Sequence, residues 1–250
     1  MSARWTILIG CAILLAGSMV GALVTLDQRA ERLRGWEDAT ETLALPERLP
    51  LAGVNVDLAQ LAPDALDAEL DRIAAAGFTW VRQSFLWQAI EPEPGEYDWA
   101  ATDRVVAAVA AHDGLQLVVV LDGTPAWARH TLAPDHPFAP PASVADFGQF
   151  AGAVAARYAG SLAYYQVWDE PNLKSHWGGL DPRPAHYSAM LRAAYDAIHA
   201  ADGEASVILA ALAPTTETGP DNLSDVLFLR AIYEQGGRDA QRRLEHARGG

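Results

Sequence analysis

From residue 51 onward the apolar positions switch between two spacings, and the switching predicts a run of alternating strands and helices. Short, mostly apolar stretches over 51–56, 78–83, 115–121, 164–168 and 207–212 read as strands. Between them lie stretches with helical spacing. Leu66, Leu70 and Ile73 repeat after Pro63-Asp64, and Gly77 closes that helix. Val105, Val106 and Val109 share a face before Gly114. Ser143 to Asp146 resembles a capping box, and Phe147, Phe150, Val154 and Tyr158 follow as an inner face. Pro184 suits the first turn of another helix, which carries Tyr187, Met190, Leu191, Ala194, Tyr195 and Ile198 as its stripe. Leu223 to Tyr233 gives a last one. The third strand is apolar at almost every position, as a parallel strand covered on both faces must be.

Five consecutive βα units predict a parallel α/β sheet. An open doubly wound sheet and an incomplete (β/α)₈ barrel both fit. The barrel typically uses ~250 residues for eight units, so residues 51–236 leave it three units short. No Gly-x-Gly-x-x-Gly follows the first strand, so a dinucleotide fold lacks its fingerprint.

The pattern differs at both ends. Trp5 to Leu26 is apolar and uncharged, close to the ~20 residues that span a bilayer core. Residues 1–26 are therefore expected to form a signal anchor, a single transmembrane helix. No small-x-small site closes the run, so it is read as uncleaved. Arg29, Arg32 and Arg34 behind it oppose export by the positive-inside rule, but long domains translocate despite such charge. A cell-membrane protein with an extracytoplasmic domain is the expectation. Residues 27–50 read as a charged linker ended by Pro46 and Pro50. After Gly236-Gly237 the chain turns basic and polar, and residues 237–250 are read as an aberrant tail, as if the chain were truncated or frame-shifted.

The formal net charge of −14 makes nucleic acid an improbable partner and leaves neutral substrates open. The single cysteine, Cys11, excludes an intrachain disulfide. His130, His136 and Asp135 share a Pro-rich loop without metal-ligand spacing, so neither metal nor cofactor is expected.

In a parallel sheet the carboxyl ends of the strands share one face, where chemistry concentrates. Here that face gathers Asn55, Asp57, Arg82, Ser84, Trp87, Asp122, Trp127, Trp168, Glu170 and Thr215. Acids, an arginine and indoles are the mixture that sugar sites use, because indole faces stack on C–H surfaces and charged groups bind hydroxyls. The fourth strand stops at Trp168-Asp169-Glu170-Pro171-Asn172, since Pro171 cannot continue a ladder.

Those five residues resemble the W-N-E-P-N signature of the clan A glycoside hydrolases. The clan's members are retaining enzymes on a (β/α)₈ barrel, and the motif's Glu is the general acid/base. The resemblance assigns that role to Glu170. Asp169 stands where the clan has an Asn that binds the sugar 2-hydroxyl, so only the acceptor half of that contact is kept. Val81-Arg82 is similar to the strand-two arginine that holds the clan's nucleophile ionised. Trp87 to Trp99 and Thr124-Pro125-Ala126-Trp127 resemble segments of family 39-like and family 5-like members. Trp87, Trp127 and Trp177 are thereby expected as sugar-binding indoles, with Arg82 and Asp169 beside them.

The resemblance implies hydrolysis of O-glycosidic bonds by two carboxylates, with carbohydrate as substrate. The clan nucleophile lies on strand seven, which these units do not reach. Glu217, Glu91 and Glu93 are weak substitutes. The alternative is a non-catalytic, membrane-anchored glycan-binding or scaffold protein.

Overall fold

The computed structural model describes residues 14–26 and 52–248, with the side chains of 237–248 excepted. The chain divides into two units, Met1–Ala44 and Leu45–Gly250. In the first, residues 14–26 (α1) are helical with exposed side chains. The rest of the expected anchor and the whole linker 27–50 lie outside the described residues. Among the described residues no helix is long and apolar enough to cross a membrane, so the transmembrane helix is without structural support.

The second unit is a five-stranded parallel sheet in the order β1-β2-β3-β4-β5. The strands are β1 (Gly53–Asn55), β2 (Trp80–Leu86), β3 (Gln116–Asp122), β4 (Tyr164–Val167) and β5 (Ser206–Ile208). Every neighbour pair is parallel. A doubly wound sheet reverses its strand order at a switch point. This order never reverses, so that alternative falls, and the winding is that of a partial (β/α)₈ barrel.

The helices are α2 (Pro63–Ala75), the single-turn α3 (Trp87–Ile90), α4 (Ala100–Ala111), α5 (Val144–Tyr158), α6 (Pro184–Ala201) and α7 (Asp225–Arg248). Successive helices pack on one another, α2 on α4, α5 on α6 and α6 on α7. The α5–α6 approach is close because Gly148 and Gly152 face Ala193 and Ala197. A Cβ on Gly148 would sit 3.1 Å from the Ala193 carbonyl oxygen. The local signals act as expected: Ser143 caps α5 by accepting from the Asp146 amide, and Pro184 opens α6. The change to a basic composition after Gly236 falls inside α7.

Alternation sorts β2 into two faces. Val81, Gln83 and Phe85 are buried, whereas Arg82, Ser84 and Leu86 are more open. The apolar core joins the first face to the helices through Leu70, Val105, Phe150, Val154 and Met190. The other face, continued by Gln166 of β4, carries polar groups across the sheet.

Candidate functional site

Polar side chains on neighbouring strands bridge the sheet beside the carboxyl ends. Arg82 and Asn55 are in register. The Arg82 guanidinium donates from Nη1 to Asn55 Oδ1 at 3.3 Å, from Nε to Gln166 Oε1 at 3.0 Å, and from Nη2 to Asp169 Oδ1 at 2.6 Å. Gln166 Nε2 donates to the Trp168 carbonyl at 2.7 Å. Within the described residues Arg82 is held by Asp169, Gln166 and Asn55. The Asp in place of the usual Asn is what allows the ion pair.

The turn after β4 holds unusual backbone. Among the described residues, the only non-glycine residues at positive φ are Trp168 (φ 68) and Glu170 (φ 45). Such conformations cost ~1–3 kcal/mol and persist only where the surroundings over-determine them. Here they do. The Trp168 amide donates to Leu121 O at 2.9 Å and the Glu170 amide to Ala211 O at 2.9 Å. Asn172, wholly buried, donates from Nδ2 to Ala213 O at 2.8 Å and Leu223 O at 3.0 Å, and accepts from Ala213 N at 3.0 Å. The asparagine of the motif is thus a clamp on the following loops. Glu170 stays about one-third exposed, with Oε2 3.4 Å from His176 Nδ1.

A cleft of about 490 Å³ opens beside this turn. Ser84, Ile90, Asp98, Asp122, Asp169 and His176 are among its walls. Glu170 stands next to it, joined through His176. Asp122, at the end of β3, is 5% exposed and accepts from the Gly123 amide at 2.7 Å. Burial pushes its carboxyl up to about 7, and the charge of Asp169 adds to this against the Gly123 amide and Arg82. Nothing in the sequence marked Asp122 apart from other strand-end acids.

A stability prediction follows. The unfolded chain releases this proton near the ordinary aspartate value of ~4, whereas the folded chain holds it to about 7. Between those values the native state binds more protons than the unfolded one, so stability falls as pH rises through that window. Asp122→Asn removes the penalty, on the order of 4 kcal/mol above pH 7 by the linkage relation. Urea midpoints should coincide at pH 4 and favour the variant at pH 8. A difference that does not change with pH would rule this out.

The predicted indoles separate. Trp87 is fully buried, stacked on Phe150 at 5.3 Å, and donates from Nε1 to Glu91 Oε2 at 2.7 Å. Glu91 Oε1 also accepts from the Gly95 amide, so the loop Glu91–Trp99 is anchored on that carboxylate. Trp177 is 1% exposed and lies edge-on to Trp168 at 5.8 Å. Both are core residues, and neither presents a face to a sugar. Trp127 remains half-buried, edge-on to Trp87 at 5.5 Å. Among the described residues, no group of three or more His, Cys, Asp or Glu side chains is placed to hold a metal ion.

Comparison with known proteins agrees with this geometry. A family model described as beta-galactosidase matches residues 59–137, from the loop before α2 to the loop after β3. No curated protein matches the sequence. Among solved structures, endo-glycoceramidase II from Rhodococcus sp. is 23% identical, with a TM-score of 0.50 over 64% of this chain and 48% of that one. The GH5_18 protein from Streptomyces cattleya, solved with Manβ1-4GlcNAc, is 24% identical, with a TM-score of 0.50 over 61% and 40%. A family 39 glycoside hydrolase from Bacteroides cellulosilyticus is 21% identical, with a TM-score of 0.48 over 63% and 30%. The chain spans less than half the length of each of these three structures. Over residues 59–137 the chain is thus similar to the beta-galactosidase family model, and its fold is that of part of a (β/α)₈ barrel.

Proposed function

We propose that this chain carries the proton-donating half of a retaining glycoside hydrolase site, with Glu170 as general acid/base. The observation that carries the reading is the turn after β4. Two residues at positive φ, held by Asn172 and by bonds to β3 and the β5 loop, present one carboxyl beside an acidic cleft. Backbone strain of this kind clusters at active sites. Glu170 donates its proton to the glycosidic oxygen as the bond breaks, then takes one from the water that attacks.

Asp169, fixed by Arg82, is placed to accept from a sugar hydroxyl but has no amide to donate. Trp127, half-buried, is the indole left to stack on a sugar ring. Retention needs a second, ionised carboxyl ~5–5.5 Å from the first. Asp122 holds its proton to about 7 and Asp169 is committed to Arg82, so neither suits that role. The resemblance places the nucleophile on a seventh strand, and the five described strands do not include it.

Release of 4-nitrophenol from a panel of aryl β-glycosides by the full chain tests the reading, with Glu170→Gln as control. Turnover confined to the wild type supports it. Oligosaccharide binding without turnover in either protein would leave a glycan-binding protein instead.

The uncharged run Trp5–Leu26 is proposed, from sequence, to anchor the protein at the cell membrane with the barrel portion outside the cytoplasm. Alkaline carbonate should leave the full chain in the membrane pellet and release a chain lacking residues 1–26. Release of both would refute the anchor.

A further inference from the structure

Asp122 is the last residue of β3, and its side chain is a wall of the cleft beside Glu170. The Leu121 carbonyl before it accepts from the Trp168 amide at 2.9 Å, which sets the end of β3 against the turn that carries Glu170. The residue is 5% exposed, and its two carboxyl oxygens differ. Oδ1 accepts from the Gly123 amide at 2.7 Å. Among the described residues no hydrogen bond reaches Oδ2. Thr79, Tyr165 and His186 each carry a polar atom that is both unpaired and sealed from solvent, whereas Asp122 Oδ2 is unpaired but not sealed. The opening it keeps belongs to the cleft.

The surroundings decide which form of the carboxyl meets that space. An ionised carboxylate taken out of water needs a cation or several donors. Asp122 has one donor. Arg82 gives Nη1 to Asn55, Nε to Gln166 and Nη2 to Asp169, and no hydrogen bond joins it to Asp122. Burial disfavours the charged form most; the Gly123 amide favours it, the charge of Asp169 opposes it and Arg82 favours it, with the balance on the neutral side up to about pH 7. Elsewhere on this face Glu170 and His176 pair with each other. The remaining acids of the wall are exposed, Asp57 accepting from Gln60 and Asp98 from the Ala100 amide. Those two keep their water. A ligand that covers Asp122 removes the little it has left, and so favours the neutral form further. A neutral carboxyl has one O–H to give, and with Oδ1 held by Gly123 it gives that proton from Oδ2.

We propose that Asp122 is a substrate-binding residue, donating a hydrogen bond from Oδ2 to a hydroxyl oxygen of the sugar unit held in the cleft. The choice of a sugar rests on the proposed function; the placement of the donor does not. Because the contact needs the proton, glycan affinity falls as pH rises through about 7. By linkage the bound sugar raises the pH at which Asp122 titrates.

Cellobiose and mannobiose are titrated by calorimetry into the full chain and into its Glu170→Gln variant at pH 6 and pH 8, and the Asp122 carboxyl carbon is followed by NMR. Affinity should fall ~10-fold between the two pH values, the change in protonated fraction of a group that titrates near 7. Sugar should move the Asp122 titration upward in both proteins. Asp122→Asn turns its amide oxygen to Gly123 and its NH2 to the place of Oδ2, so it should keep the pH 6 affinity and hold it at pH 8. Asp122→Leu, which has no donor, should bind ~3–10-fold more weakly than wild type at pH 6. A fall with pH that persists in Asp122→Asn belongs to another group, such as His176, and overturns the proposal. Affinity that rises with pH, or equal affinity of Asp122→Leu and wild type at pH 6, overturns it too. The predicted pH dependence without turnover would remove the proposed activity and leave this contact standing. No binding of either sugar by either protein removes both.

Discussion

Glu170→Gln is expected to lower kcat on alkyl and oligosaccharide β-glycosides by ~10²–10⁴-fold, the usual worth of general acid/base help. Gln keeps the shape and one acceptor oxygen but has no proton of the right acidity to give. In kcat/KM, which reports the bond-breaking step alone, the loss should shrink sharply on 2,4-dinitrophenyl glycosides, whose leaving group departs without protonation. That graded response separates a proton donor from a residue that merely shapes the turn. Glu170 sits at φ 45, and its amide bond to Ala211 O does not depend on the side chain. Its carboxyl is one-third exposed and, among the described residues, meets His176 alone in the ion pairs, so folding should be little changed. Equal losses on good and poor leaving groups would sink the assignment. With wild-type protein that turns over neither substrate, the proposed activity of this chain fails outright, whatever the variant does.

Much of the fold was legible because parallel β/α units announce themselves through period changes. The five strands begin within two residues of their predicted starts. What the pattern left open was strand order, since both barrel and doubly wound sheets alternate in the same way. Strand order is a tertiary fact, visible only in which strands pair. The candidate site was legible where a motif forces backbone. Pro171 and Asn172 mark the turn, and the structure shows why: one ends the ladder and the other ties it to Ala213 and Leu223. It was illegible where burial decides. Asp122 looks like any strand-end acid until 5% exposure raises its carboxyl. Arg82 has its partner 87 positions away, and His186 meets the backbone of Pro141, on a loop forty-odd residues earlier.

Trp87 shows the same limit and gives the second large effect. An indole placed just after a strand reads equally as a sugar platform or as core. The structure puts it in the core, between Phe147 at 5.7 Å, Phe150 at 5.3 Å and Trp127 at 5.5 Å. Trp87→Ala should cost about 3–5 kcal/mol through the cavity alone. It also removes the donor to Glu91, a carboxylate 5% exposed, and an unsatisfied buried acceptor adds ~1–3 kcal/mol. Against a typical total of ~5–15 kcal/mol, the sum brings the domain close to unfolding. Trp87→Phe keeps a ring against Phe150 and should lose much less, chiefly the Glu91 bond. The pair of variants, followed by urea midpoints and by oligosaccharide affinity, distinguishes the two roles. Packing predicts that Trp87→Phe is destabilised yet binds sugar as the wild type does, while Trp127→Ala stays folded and loses affinity. A Trp87→Phe protein with a wild-type midpoint but weakened sugar binding would return Trp87 to the substrate. The indole would then have to leave Phe150 when a ligand arrives, and the loop anchored on Glu91 would move with it.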